Sequence, residues 1–337
     1  MYSFPDNSLA DSLISDEVAR VFGPASLSNL GPGFDTLGLC LDGVGDVIEA
    51  RKVEGKGVEI SFVETAFGAG ITTDPQKNTA GIAAQLVMEQ LGYKGGLSLR
   101  VDKGFKPGSG IGSSAASAVG AALATSKVLG DQLSKDDLIN AVLGGEAVAS
   151  GARHGDNVLP SLFGGLVLVS SDDPTIYRRV PTPGNLWIVV ILPEVQVLTR
   201  QARAMLPASV ELRDAINQAS ALAFMIDAFR AGDWPVVGQW MMQDKIAEPV
   251  RSTLVPCYNQ IKNAALEAGA FGCALTGSGP AMFAISDDKN KALTIQQAME
   301  SACHSVEIAC SVYLSQVNND GARDVSNDNV DTSKDDQ

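Results

Sequence analysis

A glycine-rich segment that separates a strand-like stretch from a helix-like stretch constrains this chain more than any other feature. Residues 107–117 read PGSGIGSSAAS, after the strand-like GLSLRVDKGF and before a helical run of small residues. Gly108, Gly110 and Gly112 allow the backbone to turn its N–H groups inward. The start of the following helix adds a partial positive charge. The segment therefore predicts a loop that can hold a phosphate group at a helix N-terminus.

This loop differs from two familiar phosphate-binding patterns. No Gly-Lys-Ser/Thr follows it, so it is not a Walker loop, and its glycines fall as G-x-G-x-G, which is not the dinucleotide fingerprint. Taken alone, such a loop is more often a hairpin or a helix cap without a ligand. A ligand site needs support from elsewhere in the chain.

Length and charge limit the classes of ligand. The 337 residues predict two domains, or one large one, and the 45% hydrophobic and 19% charged content is typical of a soluble globular protein. The formal net charge of -14 disfavours nucleic acid and anionic lipid as partners. A chain this acidic must hold a phosphorylated ligand with backbone N–H groups, a metal ion and a few placed arginines.

The remaining composition predicts a cytoplasmic protein that does not enter a membrane. Five scattered cysteines without a C-x-x-C pair indicate reduced thiols. The acidic start, MYSFPDNSLADSLISDEVAR, has neither the apolar core of a secretion signal nor the Arg-rich character of a transit peptide. The longest apolar strip, Trp187–Leu192, is far shorter than the ~20 residues that span a bilayer.

Alternating strand and helix patterns predict an α+β protein in two halves. In the second half, a strand at LWIVVILP precedes several helical patterns and further strands, which indicates helices packed on an antiparallel sheet. The polar, Asp-rich end of the chain favours a disordered tail. The predicted divisions are a lead-in at 1–17, an N-terminal domain at 18–175, a C-terminal domain at 176–317 and a disordered acidic tail at 318–337.

Two further loops of small residues favour a single crowded ligand site. Near the start, GPASLSNLGPGFDTLGLCLD puts Asn29 and Asp35 around a Gly-Pro-Gly turn. Near the end, CALTGSGPAMFAI sets residues 277–279 between two strand patterns. Together with the loop at 107–117, they suggest three loops that meet at one ligand.

These loops resemble the motifs of the GHMP small-molecule kinases, which have the forms PAS-x-x-NLGPGFD, P-x-x-x-G-x-GSSA and TGSGP. Three other segments, ARHGDNVLPSLFGGL, LTRQARAMLP and RSTLVPCYNQIKNAALEAGAFGCALTGSGP, resemble the homoserine kinases within that superfamily. The resemblance extends from about Val18 to Ala284. It implies a two-domain GHMP kinase fold, with an N-terminal half like ribosomal protein S5 domain 2.

The resemblance also implies an activity. Homoserine kinases use ATP to phosphorylate the side-chain hydroxyl of L-homoserine, giving O-phospho-L-homoserine in threonine biosynthesis. A homodimer is implied as well, in line with the general frequency of two-fold oligomers. Two alternatives stay open: a GHMP kinase that acts on another alcohol, and a nucleotide-binding sensor that has lost turnover.

Residue roles at the ATP end follow from the resemblance. Ser114 and Glu146 would hold Mg²⁺, which suits oxygen ligands, and Asn78 would lie near the adenine. Without the resemblance, Glu146 would be interpreted as an exposed helix carboxylate. The predicted triphosphate-binding residues are Pro107, Gly108, Ser109, Gly110, Ile111, Gly112, Ser113 and Ser114.

Homoserine is a zwitterion, so its pocket needs a cation and an acceptor. Arg203 and Arg251 would hold the carboxylate, because a guanidinium matches two oxygens, and Asp35 would hold the ammonium group. Taken alone, both arginines would be solvated charges and His154 a structural histidine. Asp156 is the nearest candidate base, although homoserine kinases are thought to act without one. The predicted substrate-binding residues are Asn29, Asp35, His154, Asn157, Thr199, Arg203 and Arg251, and the predicted catalytic residues are Ser114, Glu146, Asn157 and Arg203.

Overall fold

A computed structural model describes residues 18–65 and 71–327. The predicted lead-in at 1–17 lies outside these residues. The strands are β1 Val18–Asn29, β2 Gly33–Val53, β3 Gly57–Thr65, β4 Gly96–Lys103, β5 Leu166–Val169, β6 Tyr177–Val180, β7 Trp187–Pro193, β8 Gly272–Leu275, β9 Met282–Ser286, β10 Cys310–Gln316 and β11 Arg323–Asp324. The helices are α1 Thr79–Gln90, α2 Ser113–Val128, α3 Ile139–Ser150, α4 Gly155–Phe163, α5 Thr199–Ala204, α6 Leu212–Ala231, α7 Trp234–Met241, α8 Glu248–Arg251, α9 Tyr258–Glu267 and α10 Lys289–His304, with a 3-10 helix at Ser252–Leu254.

The first sheet is built on the long hairpin of β1 and β2. Its strand order is β11-β1-β2-β4-β3, and β5 pairs with the start of β2 and with β6. Strands β3 and β4 run parallel, whereas the other pairs are antiparallel. The turn between β1 and β2 is the Gly-Pro-Gly loop that the sequence analysis placed beside the ligand.

Helix α2 crosses this sheet almost completely buried, which its Ala- and Ser-rich sequence allows. The contact with β1 is close: a Cβ at Gly23 would lie 2.2 Å from the carbonyl oxygen of Ala116. Helices α1, α3 and α4 complete the layer, and their apolar side chains form one core with Ile48, Leu97 and Leu99 of the sheet. The buried α2 directs its N-terminus, and therefore its positive end, toward the glycine-rich loop.

The second sheet is antiparallel, with the order β10-β7-β9-β8. One of its faces is covered by α9 and α10. The other shares a core with α6, α7 and the first sheet, which includes Leu27, Phe229 and Phe283. The helices of the second half therefore pack on an antiparallel sheet, as the sequence predicts. Among the described residues, no helix has the length and apolar character to cross a membrane.

Two predicted boundaries are wrong. The division at 175/176 falls too early, because β6 pairs with β5 in the first sheet, with Val180 opposite Leu166. The predicted disordered tail includes residues 318–327, but this stretch is structured: β11 pairs with β1, and Ala322 is buried. Strand pairing uses backbone groups, so a polar, Asp-rich composition does not exclude it. The rest of the predicted tail, 328–337, lies outside the described residues.

Candidate active site

A cavity of about 440 Å³ lies where the three predicted loops meet. Nearly all predicted site residues line it. They are Asn29, Asp35, Asn78, Pro107, Gly108, Ser109, Gly110, Gly112, Ser113, Ser114, Glu146, His154, Asn157, Thr199, Arg203 and Arg251. Ile111 is the exception: its side chain is fully buried in the core between the two halves, and its carbonyl accepts a hydrogen bond from the Ser26 N–H.

The glycine-rich loop reaches the cavity through alternating left-handed residues. Gly108, Gly110 and Gly112 have φ values of 72°, 87° and 71°, which side chains disfavour. A Cβ at Gly112 would also lie 2.5 Å from the Ser26 hydroxyl. Gly112 is the N-cap of α2 and offers no side-chain acceptor. The first N–H groups of α2 are therefore suited to an anion in the cavity.

Thr276 holds the three loops together. Its fully buried hydroxyl accepts a hydrogen bond from the Ser28 N–H at 3.0 Å and lies 3.3 Å from the Gly110 carbonyl oxygen. The Gly277 N–H donates to the Ser28 carbonyl at 3.3 Å. The Thr276 side chain, at the start of the loop before β9, thus contacts both the end of β1 and the glycine-rich loop before α2.

Two buried carboxyl groups face the cavity. Burial raises the pKa of Glu146 to about 7; the Ser114 hydroxyl, which donates to this carboxylate, opposes the rise, and the charge of Asp156 adds to it. Burial also raises the pKa of Asp156 to about 7, with a further contribution from Asp35. Burial disfavours the ionised form of a carboxyl group unless a cation compensates. This pair makes the interior of the cavity a favourable place for a cation.

The donor set at Ser114 and Glu146 fits Mg²⁺. A hydroxyl and a carboxylate provide hard oxygen ligands, and Mg²⁺ normally takes its other ligands from water and phosphates. No group of three or more His, Cys, Asp or Glu side chains suited to a metal occurs in the described part of the chain.

At the other end of the cavity, Arg203, Asp35 and His154 form a cluster. The Arg203 Nη2 lies 3.0 Å from both carboxylate oxygens of Asp35 and 3.2 Å from the His154 Nε2. Burial is the main cause that lowers the pKa of His154, which favours the neutral form of the ring. The predicted carboxylate binder and the predicted ammonium binder thus contact each other directly.

Arg251 is buried beside this cluster. It is 4% exposed, and its side chain donates to the carbonyls of Gly277 at 2.8 Å and Ala202 at 3.4 Å. Burial, and then the charge of Arg203, lower its pKa. Thr199, another predicted substrate residue, has its hydroxyl 3.5 Å from that of Ser278.

Three predicted binding residues use their side-chain amides to hold the walls of the cavity. Asn29 accepts from the Asp35 N–H at 3.1 Å and donates to the Gly277 carbonyl at 3.0 Å. Asn157 bonds the hydroxyls of Ser26 and Ser28, both at 3.0 Å.

Asn78 caps α1 by accepting from the Ala80 N–H and donates to the Thr72 carbonyl at 2.7 Å. These three amides therefore position neighbouring loops, whatever they also bind.

A buried cluster under the glycine-rich loop escaped the sequence analysis. Lys103 forms an ion pair with Asp46 and donates to the Ser117 hydroxyl at 2.9 Å and the Ser113 carbonyl at 3.0 Å. The Ser117 hydroxyl donates to Asp46 at 2.7 Å. This cluster ties the end of β4 to the first turn of α2. The only sequence signal was the position of Lys103 at the strand end before the loop.

Comparisons with known proteins agree with this site. The models of the GHMP kinase N-terminal and C-terminal domains match residues 78–165 and 225–305. The chain has the two-domain fold of these kinases, so it is a GHMP kinase.

Individual relatives narrow the family. Homoserine kinase from Pyrococcus abyssi is 39% identical over 298 residues, which cover 88% of this chain and 96% of the relative. The enzyme from Arabidopsis thaliana is 39% identical, over 90% of this chain and 84% of the relative. A crystal structure of homoserine kinase from Cytophaga hutchinsonii has a TM-score of 0.88 and 38% identity, over 93% and 99% of the two chains. This chain belongs to the homoserine kinase family.

Proposed function

We propose that this chain transfers the γ-phosphoryl group of ATP to the side-chain hydroxyl of L-homoserine, giving O-phospho-L-homoserine and ADP for threonine biosynthesis. One observation carries the proposal: a single cavity joins an anion-binding loop at a helix N-terminus to two arginines beside a carboxylate. The first end suits a triphosphate. The second suits an α-amino acid, because it offers cations for its carboxylate and an acceptor for its ammonium group.

Alignment and charge stabilisation dominate phosphoryl transfer. The backbone N–H groups of 108–114 would bind the phosphates, and Ser114 and Glu146 would hold Mg²⁺, which neutralises phosphate charge when bound. Arg203 and Arg251 would orient homoserine through its carboxylate. Asp35 would exchange part of its contact with Arg203 for the substrate ammonium group. The hydroxyl oxygen then forms the new bond to the γ-phosphorus while the bond from that phosphorus to the β-phosphate oxygen of ADP breaks. The hydroxyl proton passes to a phosphate oxygen and from there to water, so we assign no general base.

A substrate panel tests the activity. Purified protein with ATP and Mg²⁺ is assayed for ADP release with L-homoserine, L-serine, mevalonate and galactose. Turnover should be greatest with L-homoserine. Absence of turnover with L-homoserine rejects the proposal, and turnover with another alcohol assigns the cavity to that substrate. Tight ATP binding without any phosphoryl transfer would instead indicate a nucleotide sensor.

The magnesium role of Glu146 has its own test. Glu146→Gln removes the ionisable carboxylate with little change in volume, so turnover should fall about 100-fold or more and depend on higher Mg²⁺ concentrations. Glu267→Gln at the exposed end of α9 is the matched control and should behave as wild type. Near-native activity of Glu146→Gln at low Mg²⁺ would remove Glu146 from the metal site.

We propose further that the protein is a cytoplasmic homodimer. Support for the dimer comes from two exposed apolar side chains on α6, Ile216 and Phe224, which are 59% and 54% exposed. An antiparallel pairing of two α6 helices centred on Ser220 would set Ile216 opposite Phe224 and Arg213 opposite Asp227, which makes the face self-complementary.

Light scattering tests this interface. Ile216→Glu should shift the protein toward a monomer, whereas Leu293→Glu at a 40% exposed position on α10 should not. A wild-type monomer, or a dimer unaffected by Ile216→Glu, contradicts this interface.

A further inference from the structure

The Phe34 ring contacts both arginines at the substrate end of the cavity. The sequence assigns this residue no role. The centre of its ring is 4.8 Å from the Arg251 Cζ and 5.6 Å from the Arg203 Cζ. Both distances are within the range at which an aromatic ring attracts a guanidinium group. A single half-buried ring therefore contacts the two cations that would receive the substrate carboxylate.

Only one of the two guanidinium groups forms an ion pair with a carboxylate in the described part of the chain. Asp35 pairs with Arg203. For Arg251, no carboxylate within ion-pair distance is found among residues 18–65 and 71–327, and its hydrogen bonds go to backbone carbonyls. The charge of Arg203 lowers the pKa of Arg251, so the two cations repel each other. The charges of Asp35, Asp244 and Asp156 oppose this repulsion at Arg251. The Phe34 ring adds an attraction to both guanidinium groups without adding a charge.

We propose that Phe34 is a positioning residue that sets the substrate specificity of this site. Its ring holds Arg203 and Arg251 at the spacing that receives the carboxylate of an amino-acid alcohol. This inference rests on the proposed function. An aromatic ring suits the task because it attracts guanidinium groups through its π face and carries no net charge. A further carboxylate would instead occupy the N–H donors that the substrate needs.

The backbone on either side fixes the ring in place. At Gly33, a Cβ would lie 2.7 Å from the Asn29 carbonyl oxygen and 2.5 Å from the Leu37 Cβ, so the turn before Phe34 is tight. After it, Asp35 is held in the left-handed region with φ 56°, and its N–H donates to Asn29. These constraints leave the chain little freedom to move the ring away from the arginines.

Three variants test the role of the ring. Phe34→Leu and Phe34→Met keep an apolar side chain and remove the π face, whereas Phe34→Tyr retains the ring. The substrate carboxylate is bound in both the ground state and the transition state, so its loss affects KM more than kcat. We expect both non-aromatic variants to raise the KM for L-homoserine about tenfold, with kcat within threefold of wild type and the KM for ATP unchanged. Phe34→Tyr should remain within threefold of wild type throughout.

A second ligand separates carboxylate recognition from general packing. The compound 3-aminopropan-1-ol keeps the hydroxyl and ammonium groups of homoserine but lacks the carboxylate. As an inhibitor of homoserine phosphorylation, it should have the same inhibition constant with wild type and Phe34→Leu. Thermal unfolding of each variant checks that it is folded.

The outcomes also separate this inference from the proposed function. Wild type without homoserine turnover rejects the function itself. If wild type is active, the inference fails when Phe34→Leu and Phe34→Met bind L-homoserine like Phe34→Tyr, or when they weaken 3-aminopropan-1-ol as much as L-homoserine. If Phe34→Leu does not fold, Phe34→Met against Phe34→Tyr decides.

Discussion

Glu146 is a buried side chain whose ionisation opposes the stability of the folded protein. Its carboxyl group is 7% exposed, and the rise of its pKa from 4.5 to about 7 corresponds to about 3 kcal/mol of unfavourable ionisation. Asp156, in the same cavity wall, has its pKa raised for the same main reason. Such groups commonly mark functional sites. Here the compensating cation would arrive with the nucleotide.

The pH dependence of stability tests this account. The Glu146 carboxyl titrates near pH 4.5 in the unfolded protein and near pH 7 in the folded protein. Between these values the folded state binds more protons than the unfolded state. The stability that the protonated carboxyl contributes is therefore lost as the pH rises toward 7. Without nucleotide or divalent cation, wild type should lose up to about 3 kcal/mol relative to Glu146→Gln between pH 4.5 and 8. Urea unfolding at several pH values measures the difference. If the free energy of unfolding has the same pH dependence in wild type and Glu146→Gln, the pKa of Glu146 is not raised in the folded protein.

Some residues of the site were predictable and others were not, for physical reasons. Ser114 and Arg203 lie in motifs that the chain presents as short contiguous segments, and Glu146 was assigned only through the resemblance to the family. Lys103 and Asp46 are far apart along the sequence, and only the pairing of β2 with β4 brings them together. Such a pair has no local signature.

At the scale of elements, local patterns identified α2 well, because its small residues and helical character are properties of adjacent residues. The stretch VVGQWMMQDKIAEPV has a helical pattern that predicts one helix, but the structure divides it: α7 ends at Met241, and α8 begins at Glu248. The reason is Asp244, whose buried carboxylate accepts from the N–H groups of Ile246, Ala247 and Glu248 and from the side chain of Gln218. Gln218, which holds Asp244 from α6, is distant in the sequence, so a local pattern cannot predict this contact.

The junction of the three loops gives a prediction at this scale. Thr276→Val keeps the shape of the side chain but leaves the buried Ser28 N–H without its acceptor, which costs about 1 to 3 kcal/mol. The loops would separate slightly, so the KM for ATP should rise as the melting temperature falls. Thr276→Ser retains the hydroxyl and is the matched control. Equal melting temperatures for the Val and Ser variants would show that the hydroxyl does not hold the loops.

At the scale of the whole molecule, the segment after β10 fastens the second half of the chain back onto the first. The Asn318 N–H donates to the Cys40 carbonyl, and the Asn318 carbonyl accepts from the Gly165 N–H at 2.7 Å. The Ala322 N–H donates to the Ser161 carbonyl at 2.8 Å. These bonds use backbone atoms almost entirely, which explains why composition alone indicated a disordered tail.

Two left-handed glycines allow this contact to be tested against a matched control. Gly321 and Gly43 have φ values of 69° and 70°, so alanine carries the same backbone cost at both, about 1 kcal/mol. A Cβ at Gly321 would lie 2.5 Å from the Gly164 nitrogen and from the Leu162 carbonyl oxygen, whereas one at Gly43 meets nothing within 4 Å.

Gly321→Ala must therefore displace backbone, at a further cost of about 1 to 3 kcal/mol. Its melting temperature should fall well below that of Gly43→Ala. Both variants should retain homoserine turnover at temperatures where they are folded, because neither glycine lines the cavity. If Gly321→Ala and Gly43→Ala lose equal stability in urea unfolding, the close approach of this segment to α4 is not part of the folded protein. If Gly321→Ala alone is destabilised, the segment after β10 contributes directly to the stability of the contact between the two halves of the protein.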